Sequence, residues 1–134
     1  MTDAQTLVLT PDQWVKISSP YLAGGKKDEE WEIVGIEITG KRLSAVVRMA
    51  SVYLSETDGG QFHLSFITCL EFLSQLLIIY GHVWAGATEK TREGWVLESS
   101  THNVRAIRDP EHIQVEMKVV SIRRVGVPVI AVAQ

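Results

Sequence analysis

The sequence predicts an α+β fold in which an antiparallel sheet packs around one long helix. Two observations lead to this expectation. Stretches rich in β-branched residues, separated by turn residues, occupy both halves of the chain. Between them, HLSFITCLEFLSQLLIIYGH (63–82) is apolar on every face over a length that strands rarely reach. With 134 residues the chain can bury one substantial core, so a single domain over 1–134 is expected. Its 46% hydrophobic and 22% charged residues are those of a folded protein.

In chain order, Thr10-Pro11-Asp12 opens a short helix over 11–17, with Thr10 as N-cap and Pro11 at the position where a missing N–H costs nothing. SSPYLAGGKKDEE (18–30) combines Pro20, Gly24-Gly25 and a charge cluster and reads as a loop. WEIVGIEI (31–38) and RLSAVVRMASVYL (42–54) form two antiparallel strands around the turn Thr39-Gly40-Lys41. SETDGG (55–60) ends the second strand, and a long buried helix runs from about Ser65 to Trp84. GWVLESSTHNVRAI (94–107), HIQVEMKVVSIRR (112–124) and VPVIAVAQ (127–134) are three further strands, divided by Asp109-Pro110 and Gly126. In the second of these, Ile113, Val115, Met117 and Val119 share one face and Gln114, Glu116 and Lys118 the other, the pattern of a strand with one wet side. A helix apolar all round is best buried by a sheet that curls about it, the hotdog arrangement. One sheet cannot cover every face of such a helix, so a homodimer or higher homo-oligomer is expected.

Composition also excludes. A net charge of −3 argues against a nucleic-acid binder, whose affinity depends on a basic face that neutralises many phosphates, so no nucleic acid is expected. The lone Cys69 lies within the apolar run and cannot close a disulfide in its own chain, which fits a reducing, cytoplasmic setting. No basic segment followed by an apolar stretch and a cleavage site opens the chain. Residues 63–82 are long enough to cross a bilayer, but Glu71, Gln75 and His82 interrupt them, so a core helix and no membrane span are expected. Gly-rich phosphate loops, a nucleophile elbow and an HExxH pair are missing, and His82, His102 and His112 lack metal-ligand spacing, so neither metal nor cofactor is expected.

The chemistry then concentrates on the helix. Glu71 and Gln75, four residues apart, project from one face, with Ser74 and Ile78 near the same stripe. A carboxylate there is expected to lose hydration, which raises its pKa and suits it to proton transfer. The structural alternative is a Glu71 satisfied by Gln75 or by an arginine across a dimer interface. Ser65 is a natural N-cap, and the same geometry lets first-turn N–H groups polarise a thioester carbonyl. His63 is either an acid–base group or an ordinary polar residue at the helix entrance. Gly59-Gly60 upstream admits close approach of backbone or ligand, or is a plain turn. Arg123 and Arg124 are either a solvated strand end or a basic edge for the phosphates of coenzyme A or of a carrier arm.

Glu71-Phe-Leu-Ser-Gln75 resembles the Glu-x-x-x-Gln on the central helix of hotdog hydroxyacyl carrier-protein dehydratases, whose histidine and Pro-Gly before the helix are missing here, as no proline lies between Tyr53 and Glu71. A closer resemblance, from about Pro20 to the C-terminal strands, is to the FcoT-type long-chain fatty acyl-CoA thioesterases. It rests on Pro20-Tyr21 before GGKK, Tyr53-Leu54 before TDGG, His63-Leu64-Ser65, and Leu73-Ser74-Gln75-Leu76. The resemblance implies substrate positioning and catalysis by two tyrosines and two asparagines, which fall on Tyr21, Tyr53, Ser65 and Ser74. Both asparagines are serine here, and Glu71 has no acidic counterpart in the family. The expected function is therefore hydrolysis of an acyl thioester carried on coenzyme A or an acyl carrier protein. Glu71, His63 and Ser65 would be catalytic, and Tyr21, Tyr53, Ser74 and Gln75 would bind substrate. The alternatives are a hotdog dehydratase or isomerase acting on a carrier-bound β-hydroxyacyl group, and a non-catalytic acyl-binding subunit. Both fatty acid metabolism and natural product biosynthesis accommodate these readings.

Overall fold

The computed structural model describes residues 6–17, 29–54, 59–90, 93, 105–124 and 129–133. Helix α1 spans Pro11–Ile17, strand β1 Glu30–Thr39, strand β2 Arg42–Ser51, helix α2 Phe66–Trp84, strand β3 Ile113–Arg124 and strand β4 Val129–Ala133. The four strands lie in the order β1-β2-β3-β4, each antiparallel to its neighbour. The chain is thus α+β, with one long helix against an antiparallel sheet.

The β1–β2 hairpin closes as its sequence predicts. Thr39 pairs with Arg42, leaving Gly40-Lys41 as a two-residue turn, and Gly40 takes φ 58°, a conformation that favours glycine. The register shifts between Ile33 and Gly35, where Val34 is an extra residue turned to solvent. That bulge explains why the half-buried positions of β1 run Trp31, Ile33, then Ile36, Ile38: one added residue resets the two-residue period. Between β2 and β3, Leu43 faces Met117, Ala45 faces Val115 and Val47 faces Ile113, and all six are buried. On the opposite side the pairs are Arg42 with Lys118 and Ser44 with Glu116, and these are exposed. The alternation expected of residues 113–119 is therefore the alternation found.

Helix α2 lays Thr68, Phe72, Leu76 and Tyr80 against this apolar face. Four-residue spacing places these side chains in one ridge along the helix. The Tyr80 hydroxyl donates to the Gly40 carbonyl at 2.8 Å, tying the far end of the helix to the hairpin turn. Among the helix–strand contacts of α2 are those with β1 and β4, the outer strands of the order.

Three expectations need correction. The helix is not buried all round: Phe66, Leu70, Val83 and Trp84 are exposed, because one sheet covers one ridge. By length and composition α2 could cross a bilayer; here its buried ridge belongs to the core. The strand expected over 42–54 stops at Ser51. Of the strand expected over 94–107, residues 105–107 are not strand, and 94–104 lie outside the described residues, as do 18–28 of the expected loop.

Candidate functional site

The start of α2 is held in place by several local choices. Gly59 and Gly60 both adopt positive φ, 71° and 68°, and this turn admits only residues without a Cβ at low cost. Buried Phe62 follows, and the Leu64 N–H donates to the Ile107 carbonyl at 2.9 Å, fastening the helix entrance to the segment that leads into β3. Arg108 donates to the Gln61 side-chain oxygen at 3.0 Å on the same junction. Ser65 is the N-cap, in extended backbone, and its Oγ accepts the Thr68 N–H at 3.2 Å.

Beneath this first turn lies a carboxylate that the sequence did not single out. Glu29 is only 8% exposed, and its Oε2 accepts the hydroxyl of Thr68, which is fully buried, at 2.5 Å. The Ser65 hydroxyl in turn donates to Thr68 Oγ1 at 3.1 Å. Three side chains from two distant segments are thus linked in series: Ser65 to Thr68 to Glu29.

A second feature lies along the helix, away from the buried ridge. Trp31, Ile67, Leu70, Glu71, Ser74, Gln75 and Ile78 line an open groove of about 490 Å³. Glu71, Ser74, Gln75 and Ile78 share it, as their spacing predicts. Trp31, contributed by β1, donates its indole N–H to Glu71 Oε2 at 3.0 Å while its ring meets Phe72 edge-on, centroids 6.0 Å apart. The Ser74 hydroxyl donates to the Leu70 carbonyl at 2.7 Å, so its proton is committed to its own helix and its oxygen faces outward only as an acceptor.

Glu71 itself is exposed, which overturns the expectation of a dehydrated carboxylate. Consecutive helical residues differ by about 100° in direction, so a residue next to Phe72 on the buried ridge points sideways toward solvent. The buried acid at this helix is Glu29. Nothing in Asp28-Glu29-Glu30 distinguishes the middle residue from its neighbours, and a run of acids before a strand reads as solvated. The sequence likewise marks Trp31 only as a strand residue, although an indole beside an apolar helix needs a partner for its N–H.

The other expected residues separate. His63 is half-buried at the helix entrance with Ser65, and neither lines the groove. Tyr53 is half-buried beyond the end of β2, and Tyr21 lies outside the described residues. Arg123 is exposed at the end of β3, and the side chain of Arg124 lies outside the described residues. Cys69, half-buried against the core, has its thiol pushed up by desolvation, consistent with its reading as a small hydrophobe. Comparison of the chain with models of known protein families, with curated proteins and with solved structures finds no match.

Proposed function

We propose that the chain is a hotdog-type thioesterase that hydrolyses an acyl thioester carried on coenzyme A or an acyl carrier protein. The observation that supports this most is the groove along α2, in which an apolar wall of Trp31, Ile67, Leu70 and Ile78 is broken by Glu71, Ser74 and Gln75. Such a lining suits an acyl chain with a few polar groups to orient it. The groove begins at Ile67, two residues inside the capped end at Ser65, where the positive end of the helix dipole favours a developing oxyanion. Contact of α2 with both β1 and β4 is what a sheet curling about a helix produces, and it supports the hotdog layout.

In this reading the thioester carbonyl sits at the Ser65 end and the acyl chain runs along the groove past Leu70 and Ile78. Glu71 and His63 are the groups of this stretch able to take a proton from water, and Tyr53, Ser74 and Gln75 position the substrate. The exposed face of α2 is closed by a second copy, giving a cytoplasmic homodimer. Free-thiol release measured over a panel of acyl-CoA and acyl-carrier substrates tests the proposal. Turnover that falls in Glu71→Gln or His63→Ala supports it and names the base. Binding of acyl-CoA without thiol release favours a non-catalytic acyl-binding subunit instead.

A further inference from the structure

Helix α1 and the residues before it keep their apolar side chains out of the core. Leu7, Val8, Val15 and Ile17 are between 67% and 81% exposed, and Leu9 is 38% exposed. A single exposed leucine needs no explanation, but five such side chains within residues 7–17 mark a surface that meets something apolar. The helix does not depend on packing for its start. The Thr10 N–H donates to Gln13 Oε1 at 2.8 Å and the Gln13 N–H to the Thr10 carbonyl at 3.0 Å, a cap made from its own residues. Lys16, in the last turn between Val15 and Ile17, is exposed and has no carboxylate partner among the described residues.

The groove along α2 shows the complementary pattern: its wall of Trp31, Ile67, Leu70 and Ile78 is apolar and open, and among the described residues that line it Glu71 alone is charged. We propose that residues 7–17 are a lid that closes over this groove when an acyl chain lies in it, with Lys16 against Glu71 and Val15 and Ile17 on the apolar wall to either side. The proposal rests on the reading of the groove as the acyl site and names what shields the chain from water. The reach is sufficient, because the fourteen residues that lead from Ile17 to Trp31 span up to about 48 Å. From Ile67 to Ile78 the groove is about 16 Å long; α1, about 10 Å long, covers more than half of it and leaves the rest to residues 7–9. Charge favours this docking over a lipid surface, since the segment carries one acid, Asp12, for its one base, Lys16, and has no basic face. Phe66, Val83 and Trp84 lie outside the groove, so the second copy proposed above keeps its own contact surface on α2. Closure removes apolar surface of both lid and acyl chain from water, so it strengthens binding of long chains and does little for short ones.

Two measurements test the lid. In the first, carbodiimide, which joins an amine to a carboxylate only when the two touch, is applied to the wild-type protein with and without the hexadecyl thioether of coenzyme A. An amide between Lys16 and Glu71 is expected in peptides from the monomer band, at least about tenfold more abundant with the thioether. The second is hydrolysis kinetics. The double variant Leu7→Asp, Ile17→Asp is expected to raise KM for hexadecanoyl-CoA about tenfold and to leave KM for butanoyl-CoA within about twofold, because only a long chain completes the apolar contact. Lys16→Glu is expected to raise KM for hexadecanoyl-CoA about threefold, the scale of an exposed ion pair. All three positions are exposed, so the variants unfold in urea as the wild type does. An absent amide, an amide found only in the dimer band, or an equal rise in KM for long and short chains overturns the lid, and thiol release by the wild type then leaves thioester hydrolysis standing. An amide induced by the thioether in a protein that releases no thiol upholds the lid and removes the hydrolysis, leaving an acyl-binding subunit.

Discussion

Shortening Leu76 and shortening Leu70 should have very different effects, although both are leucines of α2. Leu76 has no exposed surface and sits between Phe72 and Tyr80 on the ridge that meets the sheet. Leu76→Ala removes three buried carbons, about 2.4 kcal/mol of transfer free energy at about 0.8 per methylene. The enclosed cavity brings the expected loss to about 3–4 kcal/mol. Leu70 is 37% exposed and lines the groove. Its truncation forfeits about two-thirds of the transfer term and leaves no closed cavity, so about 1.5 kcal/mol is the most it should cost. For a domain stable by about 5–15 kcal/mol the first change is severe and the second mild. Urea unfolding followed by tryptophan fluorescence, at protein concentrations low enough to keep copies apart, measures both. Equal losses, or a larger loss for Leu70→Ala, would refute the one-sided packing of α2.

Other consequences follow from single contacts. Tyr80→Phe leaves the Gly40 carbonyl without its hydroxyl donor and should cost about 1 kcal/mol in the same unfolding assay; no change would mean that this bond does not hold the helix to the hairpin. Trp31→Phe keeps a ring beside Phe72 but removes the indole N–H from Glu71, so KM for acyl-CoA should rise while the unfolding midpoint stays nearly constant; an unchanged KM would detach Trp31 from the site. Because desolvation raises the folded thiol of Cys69 above 9.0, the unfolded chain loses that proton first as pH rises. The stability that Cys69 contributes is complete below pH 9.0 and is lost as pH climbs through the folded value. Cys69→Ala should flatten the alkaline limb of a stability–pH curve, and a limb of unchanged slope would refute the assignment.

Much of the architecture was legible because it follows from period and punctuation. Thr39-Gly40-Lys41 placed the hairpin, Ser65 placed the start of α2, and the alternation from Ile113 to Val119 gave the inner face of β3. The bulge at Val34-Gly35 was not foreseen, since a glycine within a strand leaves the register to the partner strand. The site was legible where helical spacing governs it: Glu71, Ser74, Gln75 and Ile78 do share a groove. It was illegible where two distant segments meet. Whether an acid on an apolar helix is buried depends on which ridge the sheet selects, and the sheet selected Thr68, Phe72, Leu76 and Tyr80. That choice left Glu71 in solvent, while Glu29 lies 39 residues from the threonine whose hydroxyl it accepts, a separation no local pattern encodes.

The most direct test of the proposed site is a crystal structure of the protein bound to a long-chain acyl-CoA thioether, in which the carbonyl is replaced so that no hydrolysis occurs. The sulfur end should lie at Ser65, with the acyl chain following the groove past Trp31, Leu70 and Ile78. An analogue seated elsewhere on the chain, or one that does not bind at all, would contradict the account.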